Sequence, residues 1–273
     1  MKGYKNTKPF GDFCVLVGAL VIPKDTGEIF CFYFQTKGRV MSILLYLDSA
    51  NLDEIRGAAK DETIGGITTN PTLMRKSGIS NYEEFARKAL EIIPNKPVSF
   101  EVFSDDFDAM KREARIIASW GENAFVKIPV STTGGELTFP LIQELSSEGL
   151  QLNITAVFTL DQVRGVSRVL SKTTPAIISI FSGRLADSGQ DPEVIFQKSV
   201  DICRDQKNVK LLWASTREIF NIVQAERSGA DIITVTADLL GKRELWGKDP
   251  DEFCRETVQM FYNDALATGY KIG

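Results

Sequence analysis

From Met41 onward the chain alternates short apolar runs with longer amphipathic stretches. Eight runs can be counted: Leu44 to Asp48, Gly66 to Asn70, Val98 to Val102, Ala124 to Val130, Leu150 to Val157, Ala176 to Phe181, Lys210 to Ser215 and Ile232 to Ala237. Their starts fall 22 to 34 residues apart, the length of one strand-helix unit. The stretches between them carry helix punctuation. Asn81, three residues before Glu84, predicts a capping-box-like start to a helix with Phe85, Ala89 and Ile92 on its inner face. Asp105 or Asp106 caps a segment that turns Phe107, Met110, Ala114 and Ile117 inward, and Asp191-Pro192-Glu193 opens another that buries Val194, Ile195 and Val200. Pro140 belongs in a first turn, because deeper in a helix it would remove a backbone donor. A last helix, Asp249 to Thr268, stops at Gly269.

Eight such units in sequence predict a (β/α)8 barrel over residues 41–273, whose parallel strands are covered on both faces and therefore read as near-continuous apolar runs. An open doubly wound sheet is the alternative. It lacks support, since no GxGxxG follows the first run and no GxxxxGK[ST] occurs. Residues 1–40 read as an N-terminal extension outside the barrel. Lys2, Lys5 and Lys8 precede an apolar run, Phe13 to Ile22, that is too short to span a bilayer as a helix. Asp12 and the want of a small-x-small cleavage site argue against export, so the expected location is cytoplasmic, with no membrane partner.

Composition narrows the chemistry. The chain has 43% hydrophobic and 25% charged residues, ordinary for a globular protein, and a net charge of -4 with both signs interspersed, which excludes a basic stripe for nucleic acid. Cys14, Cys31, Cys203 and Cys254 form no CxxC pair and read as reduced packing residues rather than zinc ligands or a disulfide framework. The chain contains no histidine. That removes histidine-dependent triads, HExxH zinc sites and a histidine base together, and leaves acid-base work to carboxylates, lysine or water.

In a (β/α)8 barrel, polar groups at the C-terminal ends of strands are the informative ones. The first run closes on Asp48 and the second on Thr68-Thr69-Asn70-Pro71. The third carries Glu101, the fourth Lys127, and the fifth Asn153 and Thr155. The sixth carries Ser179 and Phe181, followed by Arg184, and the seventh Ser215, followed by Arg217; the eighth ends without a charged or amide group. Lys127 lies in Phe-Val-Lys-Ile-Pro-Val, where desolvation favours the free amine, a nucleophile toward carbonyls. Each residue has a plainer use: Lys127 snorkelling to water, Asp48 capping a helix, Asn70 making a turn, Glu101 and Lys127 forming a structural ion pair, Asn153 and Thr155 sharing a core network, and the arginines simply solvated. Taken together on seven of eight strands, they describe a lysine nucleophile, two carboxylates, amide and hydroxyl orienters and two arginines at one rim. That is the equipment of a Schiff-base aldolase acting on a phosphorylated sugar, with no metal or cofactor required.

The stretches LYLDSAN at 45–51, GITTNPTL at 66–73, VKIPV at 126–130, LNITAVFT at 152–159, ISIFSGR at 178–184 and WAS at 213–215 resemble the transaldolase family, in particular its small members, which include the fructose-6-phosphate aldolases. The resemblance implies that Lys127 forms an imine with the donor ketone, that Asp48 moves the proton at the cleaved bond, and that Glu101 works through a water held by Thr155. It further implies that Asn70 and Asn153 hold the dihydroxyacetone hydroxyls, with Thr68, Ser179 and Phe181 in the same pocket, and that Arg184, Ser215 and Arg217 take phosphate. Glutamate at 101 and phenylalanine at 181 follow the transaldolase pattern; the aldolase branch carries glutamine and tyrosine. Transfer is therefore expected over release, with the aldolase as the alternative and a phosphosugar-binding barrel as the non-enzymatic one. The Ala-Ser-Thr-Arg run at 214–217, and Ile180 and Ser182 beside Phe181, depart from the family pattern and leave the acceptor and a modified ketose donor open. Small members form rings, pentameric or decameric, in which the C-terminal helix packs on a neighbour. Phe253, Val258, Phe261 and Leu266 fit that use, and equally a helix that covers its own barrel.

Overall fold

The computed structural model describes residues 42–272, preceded by the backbone of four short strand pieces, Ala19–Leu20, Cys31–Phe32, Phe34–Thr36 and Arg39–Met41. The expected extension over residues 1–40 thus falls largely outside the described residues.

Eight strands, β1 (Leu44–Asp48), β2 (Ile64–Thr68), β3 (Val98–Glu101), β4 (Ala124–Pro129), β5 (Leu152–Val157), β6 (Ala176–Ile180), β7 (Val209–Trp213) and β8 (Ile232–Thr236), pair in parallel in chain order, and β8 returns to β1. The sheet is closed, so the chain is a (β/α)8 barrel and the open-sheet alternative is excluded. Helices follow the strands: α1 (Leu52–Lys60), α2 (Pro71–Lys76), α3 (Tyr82–Ile92), α4 (Phe107–Ala118), α5 (Phe139–Ser147), α6 (Leu160–Val169), α7 (Ser182–Asp187), α8 (Pro192–Cys203), α9 (Asn221–Arg227), α10 (Ala237–Gly241) and α11 (Pro250–Thr268).

Strand alternation divides the core in two. Leu45, Leu47, Val126, Ile128, Ile178, Ile180, Leu211, Trp213, Ile233 and Val235 join the large cluster under the helices. Tyr46, Phe125, Ile177, Leu212 and Ile232 form a separate buried plug inside the barrel. Because side chains repeat every two residues, the next inward positions on four of these strands are Asp48, Lys127, Ser179 and Thr234, while Ala214 on the fifth still belongs to the plug. The polar groups therefore sit one layer above an apolar floor that keeps water out from below.

Several helix starts are as the punctuation predicts. Asn81 accepts a hydrogen bond from Glu84 N at 3.1 Å, Asp191 from Glu193 N at 2.9 Å, and α5 begins with Pro140 in its first turn. Of the two aspartates considered for α4, Asp106 is the cap, accepting from Ala109 N, while Asp105 accepts from Thr133 N in a neighbouring loop. The inner face of α8 requires correction. It buries Pro192, Phe196, Ser199 and Cys203, whereas Val194 is 44% exposed and Ile195 and Val200 are half-buried. Phe196 packs on Trp213 with ring centroids 5.5 Å apart; this large contact sets the rotation of the helix and turns Val194 outward. Cys203 is buried as expected, but Cys254 is exposed on α11, and Cys14 and Cys31 are not described with side chains.

Helix α11 is capped by Asp249 at one end and by Gly269, with φ 66°, at the other. None of its residues is buried, and Phe253, Val258, Phe261 and Leu266 all face outward. The helix therefore does not cover its own barrel. Among the described residues, no helix is long and apolar enough to cross a membrane.

Candidate active site

Lys127 and Glu101 are Cα partners across β3 and β4, so strand register brings them together. Lys127 is 7% exposed, and its Nζ lies 3.0 Å from Glu101 Oε2 and donates to the Thr69 carbonyl at 2.8 Å. The apolar run suggests an ammonium without partners. The fold supplies a carboxylate and a carbonyl from neighbouring strands, and the snorkelling alternative is thereby removed.

Asp48 lines the same cavity as this lysine, close enough to feel its charge. Thr68, its Cα partner on β2, donates from Oγ1 to Asp48 Oδ1 at 2.8 Å, and Asn70 Nδ2 approaches both carboxylate oxygens at 3.3 and 3.4 Å. Asn70 also caps α2, its Oδ1 accepting from Leu73 N at 3.0 Å, which fixes the amide in the orientation that turns its donors to Asp48. Burial pushes the Asp48 carboxyl above its ordinary value, against the opposing pull of Lys127 and the hydrogen bonds from Thr68 and Asn70, and Glu101 adds repulsion in the same direction as burial.

On β5, Ala156 takes a left-handed φ of 58°, and the pairing with β6 shifts register between Ile178 and Ile180. Such a bulge re-aims side chains, and here consecutive residues, Thr155 and Ala156, both face the barrel mouth. Asn153, two residues earlier, is fully buried: Nδ2 donates to Ser99 Oγ at 3.0 Å, and Oδ1 accepts from Ser179 Oγ at 2.7 Å.

The rim is built where α7 meets the end of β7. Gly183 N donates to the Ala214 carbonyl at 3.3 Å, and a Cβ at 183 would stand 1.6 Å from the Ser215 carbonyl oxygen, so the close approach admits only glycine. Ser215 itself holds a left-handed φ of 65°. Arg184 stands over the Phe181 ring, its Cζ 5.4 Å from the centroid, and Phe181 packs against Phe158. Arg217 pairs with Asp187 at 2.7 Å and reaches the Ser215 carbonyl at 3.1 Å. That pairing holds the Asp187 carboxyl below its ordinary value through the hydrogen bond from Arg217.

These groups surround a cavity of about 470 Å3 at the C-terminal mouth of the barrel. Of the twelve residues singled out from sequence, Asp48, Thr68, Asn70, Glu101, Lys127, Thr155, Ser179, Phe181, Arg184, Ser215 and Arg217 line it; Asn153 lies just beneath. Thr234 and Thr236 on β8 also line it, and sequence reasoning passed over them because β8 ends in no charge or amide. The alternation Ile232-x-Thr234-x-Thr236 was the available signal. Asp187, three residues after Arg184 on a short helix, was likewise missed.

A closed (β/α)8 barrel whose mouth gathers a buried lysine paired with Glu101, a second carboxylate at Asp48 and arginines at the rim is the frame in which its relatives are met. Residues 45–269 match the model of the transaldolase/fructose-6-phosphate aldolase family. The chain is 34% identical over 197 residues to a probable transaldolase of Dehalococcoides mccartyi, covering 72% of this chain and 88% of that protein, and 36% identical over 191 residues to one of Roseiflexus sp., covering 70% and 84%. The chain belongs to the transaldolase/fructose-6-phosphate aldolase family. Among solved structures, thiamine phosphate pyrophosphorylase from Pyrococcus furiosus shares the fold, with a TM-score of 0.50 at 12% identity over 73% of this chain and 88% of that one.

Proposed function

We propose that the protein is a transaldolase that carries a dihydroxyacetone unit on Lys127, from a ketose phosphate such as fructose 6-phosphate or sedoheptulose 7-phosphate to an aldose phosphate such as erythrose 4-phosphate or glyceraldehyde 3-phosphate. The observation that carries it is the lysine itself: an amine in a polar cavity, paired with Glu101, with Asp48 and Arg184 lining the same space.

Glu101, in contact with Nζ, takes the ammonium proton, and the free amine adds to the ketone carbon. Loss of water, protonated through Glu101 and a water on Thr155, gives the imine. Asp48 then removes the proton of the hydroxyl on the carbon about to leave; the carbon-carbon bond breaks, its electron pair enters the imine, and the aldehyde departs. The enamine on Lys127 attacks the carbonyl of the incoming aldose phosphate, Asp48 returns its proton to the new alkoxide, and water releases the product. Asn70 and Ser179 meet the dihydroxyacetone hydroxyls with Asn153 behind Ser179, and Arg184, Ser215 and Arg217 meet phosphate. Asp187 already occupies Arg217, so phosphate reaches that guanidinium by sharing or displacing this partner.

Glu101 and Phe181, glutamine and tyrosine in the aldolase branch, favour transfer over release. The outward apolar residues of α11 support assembly into rings through this helix, and sugar-phosphate substrates of this kind would fit work in the pentose phosphate pathway in the cytoplasm. Supplying fructose 6-phosphate with and without erythrose 4-phosphate tests the transfer: glyceraldehyde 3-phosphate should accumulate over many turnovers only with the acceptor present. Steady release of free dihydroxyacetone in its absence would instead assign the protein to the aldolase branch.

A further inference from the structure

Thr234 belongs to the strand that ends without a charged group, yet its hydroxyl is buried beside the reactive centre. Its Oγ1 lies 2.5 Å from Thr68 Oγ1, and Thr68 Oγ1 lies 2.8 Å from Asp48 Oδ1. A threonine hydroxyl has one proton and two lone pairs. When Asp48 is ionised it accepts only, so the single Thr68 proton points to Asp48. The short contact between the threonines is then satisfied in one direction, with Thr234 donating to Thr68.

We infer that Thr234 is a positioning residue that acts through Thr68: its donation fixes the Thr68 proton on Asp48 and strengthens that hydrogen bond, holding Asp48 in the ionised form that accepts the substrate proton. Three features make the relay stiff. Thr68 is the Cα partner of Asp48, Thr234 sits on the strand paired to β1 on its other side, and Thr216 Oγ1 donates to the Thr234 carbonyl at 2.6 Å, tying the end of β8 to the loop after β7. The two hydroxyls thus link both strands that neighbour β1, with Thr68 alone touching Asp48. The charged groups that face Asp48 are Lys127 from β4 and Glu101 from β3, while β2 and its following turn present Thr68 and Asn70. Of these four, residue 234 touches only Thr68.

The role assigned to Asp48 rests on the proposed function, so the test is built on a readout that needs no turnover. Protein carrying carboxyl-labelled aspartate is titrated by carbon-13 NMR, with Asp48 assigned by its absence in Asp48→Asn. In Thr234→Val, which replaces the hydroxyl by a methyl of similar size, the Asp48 midpoint should rise by about half a pH unit. In Thr234→Ser, which keeps the hydroxyl, it should stay at the wild-type value. If the valine does not fold, Thr234→Ala carries the same comparison. An unchanged midpoint without the hydroxyl, or an equal rise in the serine variant, overturns the coupling. In active enzyme the acid limb of kcat/KM moves with the midpoint. A wild type that neither traps nor transfers a sugar would sink the proposed function, and the midpoints would still decide the coupling.

Discussion

The Nζ of Lys127 stands 3.0 Å from Oε2 of Glu101, a pairing imposed by the β3–β4 register rather than by a loop. Glu101→Ala leaves a buried ammonium with only the Thr69 carbonyl among its two close partners, and should destabilise the fold by about 3 kcal/mol in urea unfolding. Adding Lys127→Met to that variant should recover most of the loss. A double variant as unstable as the single would show that the ion pair is not the source. Glu101→Gln, which keeps an acceptor but loses the proton transfer proposed for Glu101, should lower kcat by about 100-fold with a smaller effect on stability.

Asp48 sets a pH-dependent trade between stability and activity. Its carboxyl is raised in the folded protein by burial, so its contribution to stability is fully present below the unfolded value and is lost as pH rises through the folded one. Asp48→Asn lacks that loss. The stability of the variant relative to wild type should therefore improve as pH climbs from about 4 to about 8, while its turnover stays depressed by about 100-fold or more. Melting temperatures of both proteins across that range check the sign; a gap moving toward wild type with rising pH would contradict it.

Gly183 lets α7 meet β7, with the Ser215 carbonyl where a side chain would begin. Gly183→Ala should push Ser215 and Arg217 out of place, cost about 2 kcal/mol, and raise KM for a phosphorylated donor at least about tenfold. An alanine variant with unchanged KM would mean that Ser215 and Arg217 do not meet the substrate.

Arg184 is exposed at the mouth, braced on Phe181. Arg184→Ala should raise KM for fructose 6-phosphate by about 10- to 100-fold, through loss of a charge-assisted contact, and leave KM for unphosphorylated dihydroxyacetone nearly unchanged. Equal effects on both would place the arginine away from the phosphate.

The barrel was legible because its strands are covered on both faces and its starts recur with the length of one strand-helix unit. Within it, the residues that carry charge or amides stood out against apolar strands: Asp48, Glu101 and Lys127 were visible as exceptions to their surroundings. Their partners were not. The Thr69 carbonyl that meets Lys127 has no sequence signal, since every residue has one, and Thr234 looks like any β-branched strand residue until the barrel closes beside Thr68. The inner face of α8 was misjudged for a related reason, because Phe196 finds Trp213 across 17 residues of chain and no local periodicity encodes that contact. The left-handed Ala156 and Ser215 depend on register and close approach, which a string of letters does not display.

Borohydride reduction in the presence of fructose 6-phosphate, followed by peptide mass spectrometry, tests the assignment of Lys127 most directly. A sugar-derived adduct should appear on the peptide containing Lys127 in the wild type, and both the adduct and turnover should vanish in Lys127→Ala. A wild-type protein that remains unmodified, or an adduct carried by another lysine, would contradict the Schiff-base role of Lys127.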